Sequence, residues 1–146
     1  MRLTMVGTGY VGLVTGVCLA NTGNQVVCLD VVEEKIAKLK QGVCPIYEPG
    51  LTELMLKNAE AGRLTYTTDK AEAYRDAEMI FICVGTPSDD RGHTDMSYVH
   101  AAADDIADMI KSLGPEQSPK TVVMKSTVPV GTTLAIKQRI RDRVGP

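Results

Sequence analysis

Three glycines, one acid and two hydroxyl-bearing loops are spaced for chemistry in this 146-residue chain. Gly7-Thr8-Gly9-Tyr10-Val11-Gly12 reads G-x-G-x-x-G, between the apolar segment Leu3 to Val6 and the helical pattern Leu13 to Ala20. Glycines there let backbone approach a pyrophosphate closely, and the following helix start offers unpaired N–H groups and partial positive charge. Asp30 lies 18 residues past Gly12, at the end of a second apolar segment. A carboxylate at about that distance can accept from both hydroxyls of an adenosine ribose and would repel a 2′-phosphate, so the pattern favours NAD over NADP. The alternative for Asp30 is a plain cap on the next helix. Lys35 could reach the same ribose, or be a solvated helix lysine. Thr86 in Val84-Gly85-Thr86-Pro87 and Thr127 in Lys125-Ser126-Thr127-Val128-Pro129 sit just past two further apolar runs. Both loops could serve the same ligand or be ordinary turns.

These residues need elements to bring them together. Leu3–Val6 reads as a strand, followed by a helix whose sheet-facing stripe is expected at Val11, Val14, Val17 and Cys18. Gly12 and Gly16, four apart, would let that helix lie close to the strands. Gln25–Leu29 is a second strand and Val32–Lys40 a helix with Ile36 and Leu39 inward. Two prolines and a glycine break the chain at Cys44 to Gly50. A helix from Pro49 to about Ala61 follows, with Leu51, Leu54, Met55 and Ala59 inward. Leu64–Thr67 is a strand, and Asp69 caps a helix over Lys70–Arg75. Met79 to Val84 is apolar without alternation, as in the centre of a parallel sheet. Asp95 caps a helix to Leu113, Thr121–Met124 is another buried strand, and the last helix spans about Thr133–Arg143. Strands and helices alternate throughout, which predicts a Rossmann-type, doubly wound α/β sheet with ligands at the carboxyl ends of its strands.

Composition narrows the function classes. Hydrophobic residues are 44% and charged residues 23% of the chain, ordinary for a globular domain. A net charge of −2 gives no general attraction to nucleic acid or anionic membrane. Only Lys137, Arg139, Arg141 and Arg143 form a local basic run, expected as a solvated helix face. No apolar run reaches the roughly 18 residues needed to cross a membrane. Cys18, Cys28, Cys44 and Cys83 lack metal or redox spacing and read as buried, reduced thiols of a cytoplasmic protein. His93 and His100 have no partner at ligand spacing, so no metal is expected. His100 reads as structural, and Asp89 and Asp90 as loop solubilisers.

Four ordered motifs carry a family resemblance: Gly7 to Gly12, Pro45-Ile46-Tyr47-Glu48-Pro49-Gly50-Leu51, Val84 to Pro87, and Lys125 to Thr132. Together they resemble the N-terminal NAD-binding domain of the UDP-glucose/GDP-mannose dehydrogenase family, over nearly the whole chain. The Lys-Ser-Thr-Val-Pro-Val form is closer to the UDP-glucose 6-dehydrogenase branch. The resemblance implies two NAD-linked oxidations of a nucleotide sugar at C6, ending at the uronate through a cysteine-bound thioester. It implies cofactor contacts at Gly7, Gly9, Tyr10, Val11, Gly12, Asp30, Lys35, Thr86 and Thr127, with Thr127 also positioning water or the reacting hydroxyl. It implies no role for the Tyr47-Glu48-Pro49-Gly50 loop, which reads as a helix-entry turn.

The family nucleophile matches none of the four cysteines. Residues 1–146 are therefore expected to be a single NAD-binding domain, a fragment that binds NAD and is inactive alone. The UDP-sugar would contact segments outside it, and the full-length protein would be a homodimer or larger. The alternatives are a GDP-mannose 6-dehydrogenase, another NAD-linked dehydrogenase, and a nucleotide-sensing regulatory module.

Overall fold

A computed structural model describes residues 1–146 as eleven elements, strands and helices alternating except where α3 follows α2. They are β1 (Arg2–Val6), α1 (Tyr10–Asn21), β2 (Gln25–Leu29), α2 (Glu33–Lys40), α3 (Leu51–Glu60), β3 (Leu64–Thr67), α4 (Lys70–Arg75), β4 (Met79–Ile82), α5 (Ser97–Leu113), β5 (Thr121–Met124) and α6 (Thr132–Val144). The five strands form one sheet in the order β3-β2-β1-β4-β5. Every pairing is parallel, with Met5 facing Cys28 on one side and Phe81 on the other. The chain winds outward from β1 through β2 to β3, then returns to place β4 on the other side of β1. The order reverses between β1 and β4, and the carboxyl ends of those two strands are where such sheets bind ligands. The doubly wound parallel architecture predicted from the alternation is the one observed.

Alternate residues of β1 serve opposite faces, as strand geometry requires. Leu3 and Met5 join a core with Leu13, Val17, Met55 and Tyr66, under α1 and α3. Val6 joins a second core with Tyr74, Ile80, Ile82 and Ile106, under α4 and α5. Thr4 is buried on that second face because its hydroxyl donates to the Ala73 carbonyl. A third, smaller core of Val99, Ala103 and Ile136 lies between α5 and α6.

Several details differ from the sequence expectation. α1 turns Gly12, Leu13, Gly16, Val17 and Ala20 to the sheet, while Val11 and Cys18 are exposed. The two glycines select this face. A Cβ on Gly16 would come within 2.9 Å of the Met5 side chain and 3.1 Å of the Cys28 sulfur, so only glycine allows this close an approach. α3 starts after Pro49, with Gly50 as its N-cap at φ 82°, and it buries Asn58 in place of Ala59. Asn58 donates to Leu54 and Asn21 and accepts from Arg63, which satisfies a buried amide. β5 is half-buried, whereas β3 at the opposite edge is mostly buried. His100 is exposed.

The basic run on α6 is partly paired. Arg139 forms a bidentate pair with Asp104 (2.6 and 2.8 Å), and Arg143 forms one with Asp108 (2.6 and 2.8 Å). Positions four apart on one helix thus meet positions four apart on its neighbour.

Candidate functional site

The glycine turn is shaped by what each missing side chain would hit. Gly7 has φ +102°, and a Cβ there would lie 2.8 Å from the Cys83 carbonyl oxygen. A Cβ on Gly12 would lie 1.9 Å from the Gly7 carbonyl oxygen. These two glycines make the turn tight and seat it on β4. A Cβ on Gly9 would meet nothing within 4 Å. Gly9 faces open cavity, so protein packing does not demand a glycine there. It is also the N-cap of α1, which has no side-chain cap and no acid in its first turn. The first-turn N–H groups therefore keep their donors and partial positive charge for an outside acceptor. This arrangement fits a pyrophosphate.

Asp30 follows β2, and its side chain is only 10% exposed. Its Oδ2 accepts from the Thr8 N–H (2.9 Å), the Thr8 hydroxyl (2.7 Å) and Lys35 Nζ (3.4 Å). Its Oδ1 accepts from the Val32 N–H (3.1 Å). Burial works to raise its pKa. The Thr8 hydroxyl, the Thr8 and Val32 N–H groups and the Lys35 charge outweigh burial and hold the carboxyl below its ordinary range. Asp30 thus shapes the turn that leads into α2, whose N-cap is Val32, and ties that turn to the glycine turn. The contact with Lys35 is the longest of the four, which makes Lys35 the donor most easily exchanged for a ligand hydroxyl.

At the other end of the edge, the Thr86 hydroxyl donates to the Thr127 carbonyl (2.8 Å). The Ser126 hydroxyl donates to the Val84 carbonyl (2.7 Å), and the Lys125 and Ser126 N–H groups donate to Ile82 (2.9 and 3.0 Å). These bonds fasten the loop after β5 to the end of β4.

One cavity of about 630 Å³ joins both ends. Gly7, Gly9, Tyr10, Val11, Asp30, Lys35, Thr86 and Thr127 all line it. Gly12 does not; it stands behind the turn as packing against Gly7. The volume falls in the range of small-molecule and cofactor sites. Sequence reasoning missed Thr8, whose small hydroxyl between two glycines was the available signal. It also missed Lys70, Tyr74 and Asp105 on the same cavity wall. No local pattern marks those three, because α4 and α5 meet only through the sheet topology.

Two further features bear on the chemistry. The Tyr10 hydroxyl donates to Glu48 Oε2 at 2.6 Å, which gives the Tyr47-Glu48-Pro49-Gly50 loop a direct tie to the glycine turn. That hydrogen bond and the Glu48 charge raise the Tyr10 pKa. Cys83 lines the cavity, but burial pushes its thiol up to about 11, only partly offset by Lys125. The Cys28 thiol is pushed up to about 12 by burial and by Cys83. Neither is an activated thiolate. All four cysteines are free, and no helix is long and apolar enough to cross a membrane. Asp89 accepts from the Arg91 and His93 N–H groups, and it shapes its loop rather than merely solubilising it.

Comparison with known proteins places this geometry in context. A family model described as the UDP-glucose/GDP-mannose dehydrogenase family, NAD binding domain, matches residues 1–145. A UDP-glucose 6-dehydrogenase of Rhizobium meliloti (strain 1021) is 48% identical over 143 residues, covering 97% of this chain and 31% of the relative. A UDP-glucose 6-dehydrogenase of Bacillus subtilis (strain 168) is 50% identical over 131 residues, covering 90% of this chain and 27% of the relative. Among solved structures, a ternary complex of GDP-mannose dehydrogenase from Pseudomonas aeruginosa superposes with TM-score 0.93 at 39% identity, covering 100% of this chain and 33% of that one. A UDP-glucose dehydrogenase from Pyrobaculum islandicum gives TM-score 0.90 at 37% identity, covering 99% of this chain and 33% of that one. The chain spans about a third of the length of the relatives it matches.

Proposed function

The chain belongs to the UDP-glucose/GDP-mannose dehydrogenase family as an NAD-binding domain, and from that premise we propose that it is the cofactor half of a cytoplasmic UDP-glucose 6-dehydrogenase. One observation carries the reading. Gly9, Asp30, Thr86 and Thr127 converge on one cavity at the strand ends of a chain 48% identical to a UDP-glucose 6-dehydrogenase. Family membership also answers the sensor alternative raised by the sequence.

Each residue has a role in this reading. The first-turn N–H groups of α1 hold the pyrophosphate, with Gly9 giving room and Gly7 and Gly12 fixing the turn. Asp30, with Lys35, holds the adenosine ribose and excludes a 2′-phosphate. The loops at Thr86 and Thr127 hold the nicotinamide end, and the Thr127 hydroxyl orients water or the reacting alcohol without adding charge. NAD, when bound, supplies the hydride acceptor for oxidation of the sugar alcohol. A thioester step needs an activated cysteine: the thiols of Cys28 and Cys83 are raised by burial, and Cys18 and Cys44 do not line the cavity. The nucleophile and the UDP-sugar contacts therefore come from outside this chain, which alone binds NAD and turns nothing over.

Calorimetry with NAD and NADP, and an NADH assay with UDP-glucose, test the reading. NAD should bind and NADP should bind more weakly, with no NADH formed. Absence of NAD binding overturns the cofactor role, and NADH formation above background overturns the need for an outside nucleophile. GDP-mannose remains a second substrate reading, because the ternary complex at TM-score 0.93 is a GDP-mannose dehydrogenase. Activity of the full-length protein on UDP-glucose against GDP-mannose separates the two.

A further inference from the structure

The cavity continues past Asp30 to a group of polar side chains that the roles above leave unused. Lys70 at the start of α4 pairs with Asp105 on α5, Nζ to Oδ2 2.7 Å. Both are partly exposed, and both line the cavity. Tyr74, one turn along α4, lines it as well. Tyr74 is 1% exposed, and its hydroxyl is buried with no hydrogen-bond partner. An unpaired buried hydroxyl is uncommon and calls for an explanation. Its pKa is raised by burial and then by the Asp105 charge, so it stays protonated and able to donate. Asp105 is the charged group that acts on this hydroxyl, and the two side chains line the same cavity.

The covalent order of a dinucleotide says what meets this corner. The glycine turn ends β1 and takes the pyrophosphate. Asp30 ends β2 and takes the ribose. The moiety beyond that ribose, on the side away from Thr86 and Thr127, is the base. Its cavity wall is formed by α4 and α5. The adenine edge carries an exocyclic amine, a hydrogen-bond donor that suits a carboxylate acceptor.

Resting on the NAD-binding reading, we propose that Asp105 is a recognition residue for the exocyclic amine of adenine, and that Lys70 and Tyr74 are positioning residues that hold its carboxylate. Lys70 fixes one oxygen. The Tyr74 hydroxyl donates to the carboxylate once the base is seated, which gives the orphan donor its partner. The remaining acceptor positions of Asp105 face the amine.

The test uses NAD and its 1,N6-etheno derivative, in which a two-carbon bridge removes the amine hydrogens. Wild-type chain, Asp105→Ala and Tyr74→Phe are compared by calorimetry, with melting curves to check the fold. Wild type should bind NAD more tightly than etheno-NAD. Asp105→Ala should lose about tenfold in NAD affinity and much less for etheno-NAD. Tyr74→Phe should lose about threefold for NAD, narrow the same preference, and melt no lower than wild type, since the hydroxyl has no partner in the fold. Asp105 is half-exposed on a helix, so its alanine variant carries the test even if Tyr74→Phe folds poorly. The proposal is overturned if Asp105→Ala binds NAD within twofold of wild type, or loses both ligands equally. If wild type binds neither dinucleotide, the NAD-binding reading fails with it. Normal wild-type NAD binding with unaffected variants overturns this proposal alone.

Discussion

The two ends of the cavity are built differently. At the β1–β2 end, Asp30 gathers four donors, and the turn glycines sit where a Cβ would approach backbone oxygen within 1.9 to 2.8 Å. At the β4–β5 end, β5 is a half-buried edge strand, α6 buries only Ile136, and Leu134 is 73% exposed. There the loops are held mainly by hydroxyl and N–H bonds to backbone carbonyls. The β1–β2 end, which we propose holds the pyrophosphate and ribose, is the more closely packed. The β4–β5 end, which we propose holds the nicotinamide, is the more exposed.

Five substitutions can break or sharpen that contrast. Gly12→Ala forces a Cβ against the Gly7 carbonyl, and overpacking of backbone should cost about 3 kcal/mol or more. Gly9→Ala should change stability by less than about 0.5 kcal/mol yet weaken NAD, because its Cβ meets only cavity. Urea unfolding of the pair decides it; a Gly12→Ala cost below that of Gly9→Ala would remove the claim of a closely packed turn. Next in size is Ile136→Ala, about 2 kcal/mol, from the small core between α5 and α6. A cost above that of Gly12→Ala would reverse the comparison.

Asp30→Ala should weaken NAD about tenfold or more, since hydrogen bonds to a charged acceptor are worth about 1.5–3 kcal/mol each. Its pH behaviour follows from the lowered pKa. The folded-state carboxyl titrates below the unfolded value near 3.9. Its stabilising contribution is therefore complete above that unfolded value and is lost as pH falls through the folded pKa. Acid titration of wild type against Asp30→Ala should show a stability gap at neutral pH that closes in acid. A gap independent of pH would mean that Asp30 acts through packing alone. Arg139→Ala should also have a small effect. Its bidentate pair with Asp104 is partly exposed, so the cost should be slight and shrink further with salt. Melting curves at two salt concentrations check it.

The contrast also explains what was readable beforehand. β2, β3 and β5 have the bounds that apolar runs and turn residues predict, and Asp69 caps α4 by accepting from Ala71 and Glu72. Those signals are local. On α1 the expected close approach at Gly12 and Gly16 and the inward Val17 are observed, whereas Val11 and Cys18 turn outward, because hydrophobicity alone does not fix the angular edge of a helix face. The Arg139–Asp104 and Arg143–Asp108 pairs join residues 35 apart and depend on how two helices cross. The Tyr10–Glu48 tie and the Lys70–Tyr74–Asp105 corner likewise exist only once the sheet has ordered its helices. Gly12 shows the limit of a motif: it belongs to the pattern, yet it supports the site from outside the cavity.

The strand order also constrains how the molecule is made. β1 pairs with β2 through a connection of ordinary length, but its other edge waits for β4, with Leu3 opposite Met79. Such distant pairings close late, because loop entropy must be overcome first. The Gly7 turn rests on Cys83, so a chain emerging from a ribosome has no floor under its phosphate cradle until residue 83 has followed. A ligand held by the finished turn would therefore stabilise only chains in which β4 has already paired with β1.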